Sequence, residues 1–175
     1  MNVKKLVFAL SICFCTLSES SKAFPTPVLD TLPRVFLLGV YDGGDFEQLK
    51  EQYNMSLVQA CRSDMEAAYY SWIHMLKHLE SYSKTQNFDL DGVKMWLYVF
   101  WNKDGSIQHL AFYLKQNSRN VDKAAVTTFL EGFCSYYKSP IKAEKNFSNY
   151  SSANFPVMIE KEKDKEKEKE PIKKD

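Results

Sequence analysis

The apolar positions of this chain concentrate in two alternating runs separated by a polar turn. The first is Val93-Lys94-Met95-Trp96-Leu97-Tyr98-Val99-Phe100-Trp101, and the second is Ser106-Ile107-Gln108-His109-Leu110-Ala111-Phe112-Tyr113-Leu114. Asn102-Lys103-Asp104-Gly105 lies between them. Runs rich in β-branched and aromatic residues around a turn that ends in Gly predict a β-hairpin. A type I turn with Gly105 in the left-handed conformation fits that spacing. With Asn102 and Gly105 closing the turn, Phe100 falls opposite Ile107, Tyr98 opposite His109 and Trp96 opposite Ala111. Side chains alternate along a strand, so these six share one aromatic face. Val93, Met95, Leu97, Val99, Trp101, Leu110, Phe112 and Leu114 share the other, which needs a helix over it.

Helical spacing appears on both sides of the hairpin. From Ser56 to about Ser83, residues Leu57, Cys61, Met65, Ala68, Trp72, Met75, Leu76 and Leu79 recur at intervals of three and four. This predicts one long amphipathic helix, capped by Asn54 or Ser56 and expected to shield part of the aromatic face. Phe46 to Tyr53 reads as a short helix. Val121-Asp122-Lys123 opens a further helix whose buried side is Val126, Phe129, Leu130, Phe133, Cys134 and Tyr137, with Asp122 favourably placed at the positive end of the helix dipole. Ser139-Pro140 stops it. Val35 to Tyr41 is a strand or a buried lead-in. Asn146 to Asn154, rich in Ser, Asn and Tyr, reads as loop, and Phe155 to Ile159 as a closing edge strand.

The fold class that follows is α+β. A small antiparallel sheet, made of the central hairpin and an edge strand, packs with one helix and is preceded by a long amphipathic helix. One domain spans 24–159, with a helical part at 45–85 and a sheet part at 92–159. The two ends differ from it. Met1-Asn2-Val3-Lys4-Lys5 is basic, Leu6 to Leu17 is apolar, and Ser21-Lys22-Ala23 supplies small residues, the three parts of a signal peptide over 1–23. Its apolar run is too short for a spanning helix, which needs about 20 residues. The expectation is an exported protein, periplasmic or secreted, with no membrane span once the leader is removed. From 160 to 175 acidic residues alternate with Lys, the composition of a disordered, solvated tail.

Composition narrows the function classes. A formal net charge of +1 over 175 residues carries no basic footprint for nucleic acid. Cys61 and Cys134 remain after leader removal; they form one disulfide or stay as two buried thiols. Trp96, Tyr98, Phe100 and His109 are the candidate ligand-binding residues, since an imidazole among aromatic rings can contact a ligand. His74 and His78 stand four apart on the long helix, off its apolar stripe, and read as a solvated pair rather than a metal site. No Ser or Cys nucleophile is placed beside His109, so no triad emerges. Asp42-Gly43-Gly44-Asp45 lacks the ligand spacing of a calcium loop and reads as a turn before a helix. Sequons at Asn54, Asn146 and Asn149 read as chance occurrences.

Phe100-Trp101-Asn102-Lys103-Asp104-Gly105-Ser106-Ile107, Val121-Asp122-Lys123-Ala124-Ala125-Val126 and Phe155-Pro156-Val157 resemble the hairpin, helix start and closing strand of the C-terminal domain of TonB-type energy transducers. The resemblance covers about 92–159. The whole chain also looks like small exported proteins of the Bacteroidetes. The transducers' membrane anchor, proline-rich spacer and Tyr-Pro motif have no counterpart here, so the resemblance implies a domain shape and a way of binding, not energy transduction. That way of binding is a sheet edge that accepts a strand from an envelope protein or peptide. The expected function is therefore a non-enzymatic protein- or peptide-binding module with no cofactor. A carrier of lipid or aromatic ligands is the alternative, and a hydrolase or metal enzyme using His74, His78 or His109 is the third reading.

Overall fold

The computed structural model describes residues 32–41 and 43–158. The stretches expected to be a signal peptide (1–23) and a disordered tail (160–175), together with residues 24–31, Asp42 and Ile159, lie outside them. The described residues form an α+β domain in which a five-stranded mixed sheet is covered on one face and in part on the other. In chain order the elements are β1 (Val35–Leu37), α1 (Gly44–Gln52), β2 (Met55–Ser56), α2 (Leu57–Ala60), α3 (Met65–Thr85), β3 (Lys94–Trp101), β4 (Ile107–Leu114), α4 (Lys123–Tyr136) and β5 (Phe147–Asn154). The sheet order is β1-β4-β3-β5-β2.

The hairpin β3–β4 forms as its sequence predicts. Gly105 N–H donates to the Asn102 carbonyl at 2.8 Å, Asn102 N–H donates to the Ser106 carbonyl at 2.9 Å, and Gly105 has φ +90°. The pairing beyond the turn differs from the expectation. Trp101 faces Ile107, but Phe100 faces His109, Tyr98 faces Ala111 and Trp96 faces Tyr113. Gln108 is the extra residue of a bulge between Phe100 and Trp101, and it shifts every later pair. The bulge also sends Ile107 to the aliphatic face, beside Trp101, while His109 and Ala111 stay on the aromatic one.

The aliphatic face carries the larger core. Met95, Leu97, Val99, Leu110 and Phe112 pack there with Leu76 and Leu79 of α3 and Val126, Leu130 and Phe133 of α4. The long helix therefore covers the aliphatic face, not the aromatic one. Its stripe of Leu and Met matches a broad aliphatic surface, and α4 shares that layer. The aromatic face is covered instead by α1 and the segment before it. Leu49, Tyr53, Leu32 and Phe36 close over Phe100 and Ala111, with Phe46 packed against them.

The long helical stretch is also interrupted. Ser56 caps α2 in a capping box with Gln59, and α2 ends at Ala60. Arg62 and Ser63 take positive φ, and Asp64 then caps α3 by accepting from Ala67 N–H at 2.9 Å. The remaining strands depart further from expectation. The stretch read as loop, Phe147 to Asn154, is β5, antiparallel to β3 along its whole length. Phe155 to Val157 follows the strand rather than forming it. β1 and β2 each pair in parallel, β1 with β4 and β2 with β5, so the sheet is mixed.

Candidate functional site

The four sequence-predicted ligand residues do share one face, but the protein's own side chains fill half of it. Phe100 is fully buried, its ring 4.3 Å from that of Tyr98, 5.6 Å from that of Tyr53 and 6.3 Å from that of Phe46. His109 is buried opposite it, with Nδ1 3.0 Å from the Pro33 carbonyl oxygen. A carbonyl only accepts, so Nδ1 carries the hydrogen and donates. Burial, first, lowers the His109 pKa from its ordinary value; the Pro33 bond opposes the shift and the Arg34 charge adds to it. A neutral imidazole facing its own backbone is a packing element, and Phe100 and His109 are both enclosed by the protein's own groups.

The other half of the face is open. Trp96 is 37% exposed and stacks on Tyr150 of β5 at 5.3 Å, and Tyr150 in turn lies 5.5 Å from Tyr98. Lys115 Nζ lies 4.6 Å from the Trp96 ring centroid and donates to Ser152 Oγ and Asn154 Oδ1. Partial desolvation, and then the nearby Lys94 charge, lower the Lys115 pKa. Trp96, Tyr98, Tyr150 and Lys115 therefore form an aromatic strip with one cation across β3 and β5.

This strip borders an unpaired sheet edge. β5 runs from Phe147 to Asn154, but its outer neighbour β2 pairs only with Phe147 and Ser148. Phe155 N–H donates to the Val93 carbonyl at 3.0 Å. Alternation in an antiparallel ladder then turns the backbone groups of Asn149, Ser151 and Ala153 towards β3, and those of Tyr150, Ser152 and Asn154 outward. The Ser152 carbonyl accepts from Trp72 Nε1 at 3.3 Å, which agrees with that orientation. No strand among the described residues pairs with this outward row. A groove of about 600 Å³ runs beside the edge on the α3 side, lined by Tyr69, Ile73, Val157 and Met158. A hollow of about 370 Å³ opens on the α1 side, lined by Lys50, Asn54, Tyr98 and Tyr150. The three sequon asparagines, Asn54, Asn146 and Asn149, gather at the β2 end of this edge.

Cys61 and Cys134, the cysteines among the described residues, are free thiols rather than a disulfide. They occupy separate surroundings. Cys134 lies inside α4, where burial pushes its thiol up to about 12. Cys61 follows α2 beside Ser71 and Asp64, and burial raises its pKa too. Both stay protonated at neutral pH, the less nucleophilic form.

Sequence reasoning missed two contributors to this surface and one clamp at the opposite edge of the sheet. Tyr150 and Lys115 lay in stretches read as loop or strand end, and Arg34 lay before any recognised element. Arg34 donates to Ser135 Oγ at 2.8 Å and to the Ile107 and Cys134 carbonyls at 3.1 and 2.9 Å, clamping β1 to α4. The available signal for β5 was slight: Phe147 and Ala153, an even number of residues apart, are the buried apolar positions of its inner face.

No family model, no curated protein and no solved structure matches this chain. Among the described residues no helix is long and apolar enough to cross a membrane, and no three His, Cys, Asp or Glu side chains gather as a metal site.

Proposed function

We propose that this protein is an exported, non-enzymatic binding module of the cell envelope that takes an extended peptide segment on the outer edge of β5. The resemblance of 92–159 to the C-terminal domain of TonB-type transducers suggests the same mode of binding. The observation that carries the reading is the outward backbone row of Tyr150, Ser152 and Asn154, which no described strand covers. Native edges are usually blunted by charge, proline or shortness. The open part of β5 is Asn149-Tyr150-Ser151-Ser152-Ala153-Asn154, with none of the three.

An added strand would find backbone partners at Tyr150, at Asn154 and at the Ser152 N–H, while the Ser152 carbonyl stays with Trp72 Nε1. Its side chains would point alternately into the groove beside Tyr69 and Ile73 and onto the strip of Trp96 and Tyr150. Backbone bonds supply affinity and the two side-chain surfaces supply selectivity. Lys115 favours an acidic side chain on the aromatic side.

Ser152→Pro tests this without breaking the core ladder, because the Ser152 N–H faces outward. A display library of random 12-residue peptides is selected against the wild-type protein and counter-selected against the variant. Enrichment of extended sequences that bind wild type and lose binding to Ser152→Pro is the expected result. Binders that tolerate the proline equally well, or none at micromolar protein, would remove the reading.

A second reading, a carrier of aromatic ligands, draws on the exposed ring of Trp96 alone, because Phe100 and His109 are enclosed. A Trp96→Ala variant separates the two: it abolishes stacking of a small aromatic ligand but leaves the backbone row for a peptide.

A further inference from the structure

We propose that His74 and His78 form a two-ligand site for a divalent transition-metal ion of the kind that prefers imidazole: zinc, copper or nickel. The sequence placed them four apart on one face of a helix, and the structure brings their reactive atoms together. His74 Nε2 and His78 Nε2 are 3.2 Å apart, with ring centroids 4.4 Å apart and planes inclined at 58°. Two zinc–nitrogen bonds of about 2.0–2.1 Å meeting at a tetrahedral angle separate their nitrogens by about 3.4 Å. The observed spacing needs only a small opening to accept the ion.

The support beneath the pair is rigid. α3 is a continuous helix of 21 residues, and its inward side, with Met75, Leu76 and Leu79, is locked in the core. His78 is half-buried and its ring lies 5.5 Å from that of Tyr137, which limits its rotation. His74 is exposed, so an ion reaches the pair directly from solvent. At present the contact needs a hydrogen on one Nε2, with the other nitrogen accepting it. Metal binding replaces that shared hydrogen, the donor ring moving its hydrogen to Nδ1.

The described residues supply no third ligand of the usual types. The ion therefore keeps open positions for water or for a donor from another molecule. This makes the site exchangeable and selective by chemistry: imidazole suits zinc, copper and nickel, whereas magnesium and calcium want oxygen. Copper should bind most tightly of the three, following the usual order of divalent affinities.

The test uses the full chain without an affinity tag, stripped with chelator and titrated calorimetrically with zinc, copper and nickel chlorides. Calcium and magnesium chlorides serve as controls. The expected result is one equivalent of transition ion per chain at micromolar concentrations, no response to the controls, and a loss of about tenfold or more in affinity for His74→Ala and for His78→Ala. Circular dichroism of both variants checks that α3 remains intact, and His109→Gln should bind as wild type. Absence of binding below about 1 mM ion, or an affinity in either variant equal to that of wild type, would overturn the site.

Discussion

A Cβ placed on Gly105 would lie 2.3 Å from the Ser139 carbonyl oxygen. The turn of the hairpin and the chain leaving α4 are thus in backbone contact, and Ser139 N–H donates to the Gly105 carbonyl at 2.8 Å. Gly105 is needed twice, for its φ of +90° and for this approach. Gly105→Ala should cost about 2–5 kcal/mol, combining left-handed strain with overpacking. Urea denaturation measures it; a change below about 0.5 kcal/mol would match an ordinary surface site instead.

Covering of the aromatic face by α1 predicts a large effect at Phe100, which is fully buried beneath Tyr53 and Phe46. Phe100→Ala should destabilise by about 3–5 kcal/mol. Trp96→Ala, at the open end of the same strand, should cost clearly less. Equal costs in denaturant titrations would mean that the two ends of the face are not covered differently.

Arg34 links the start of the described chain to the end of α4 through two hydrogen bonds and to Ile107 of β4 through a third. Arg34→Ala leaves the Cys134 and Ile107 carbonyls without that donor. The expected loss is about 1–3 kcal/mol, read from the shift of the urea midpoint. Arg34→Lys should recover only part of it, since an ammonium lacks the guanidinium's planar fork of donors.

Burial lowers the His109 pKa in the folded state. Below the unfolded value, about 6.5, the unfolded chain binds a proton that the folded chain still refuses. The contribution of His109 is therefore complete above that value and is lost as pH falls through the folded pKa. Stability measured from pH 7.5 down to 5 should decline, and His109→Gln should decline less steeply. An unchanged slope in the variant would contradict the buried neutral imidazole.

Some of this architecture was legible in the sequence. The Asn102–Gly105 turn, the two unlike faces of the hairpin and the buried side of α4 follow from local periodicity and turn chemistry, which act over a few residues. Asp122 reads correctly as a helix start, and it caps α4 through Ala124 and Ala125 N–H. What failed depends on distant partners. β5 is polar in composition and holds its conformation because β3 pairs with its full length. The Gln108 bulge leaves no compositional mark, yet it moved every pair of the hairpin beyond Trp101 and Ile107.

The candidate site divides along the same line. Which side chains share a face was readable, but which stay exposed was not. Exposure of Trp96 and enclosure of Phe100 are set by where α1 lies, and α1 meets the sheet through contacts distant in sequence, such as Phe46 with Tyr98 and Phe100. The open edge was likewise hidden, because it depends on β2 being only two residues long and on β5 being a strand at all.

Residue-resolved amide hydrogen exchange on the free protein tests the open edge of β5 most directly. The amides of Asn149, Ser151 and Ala153 should be protected by β3, while those of Tyr150, Ser152 and Asn154 exchange readily, giving protection that alternates along the strand. Uniform protection from Asn149 to Asn154 would mean that the edge is already occupied and would contradict a strand-accepting surface.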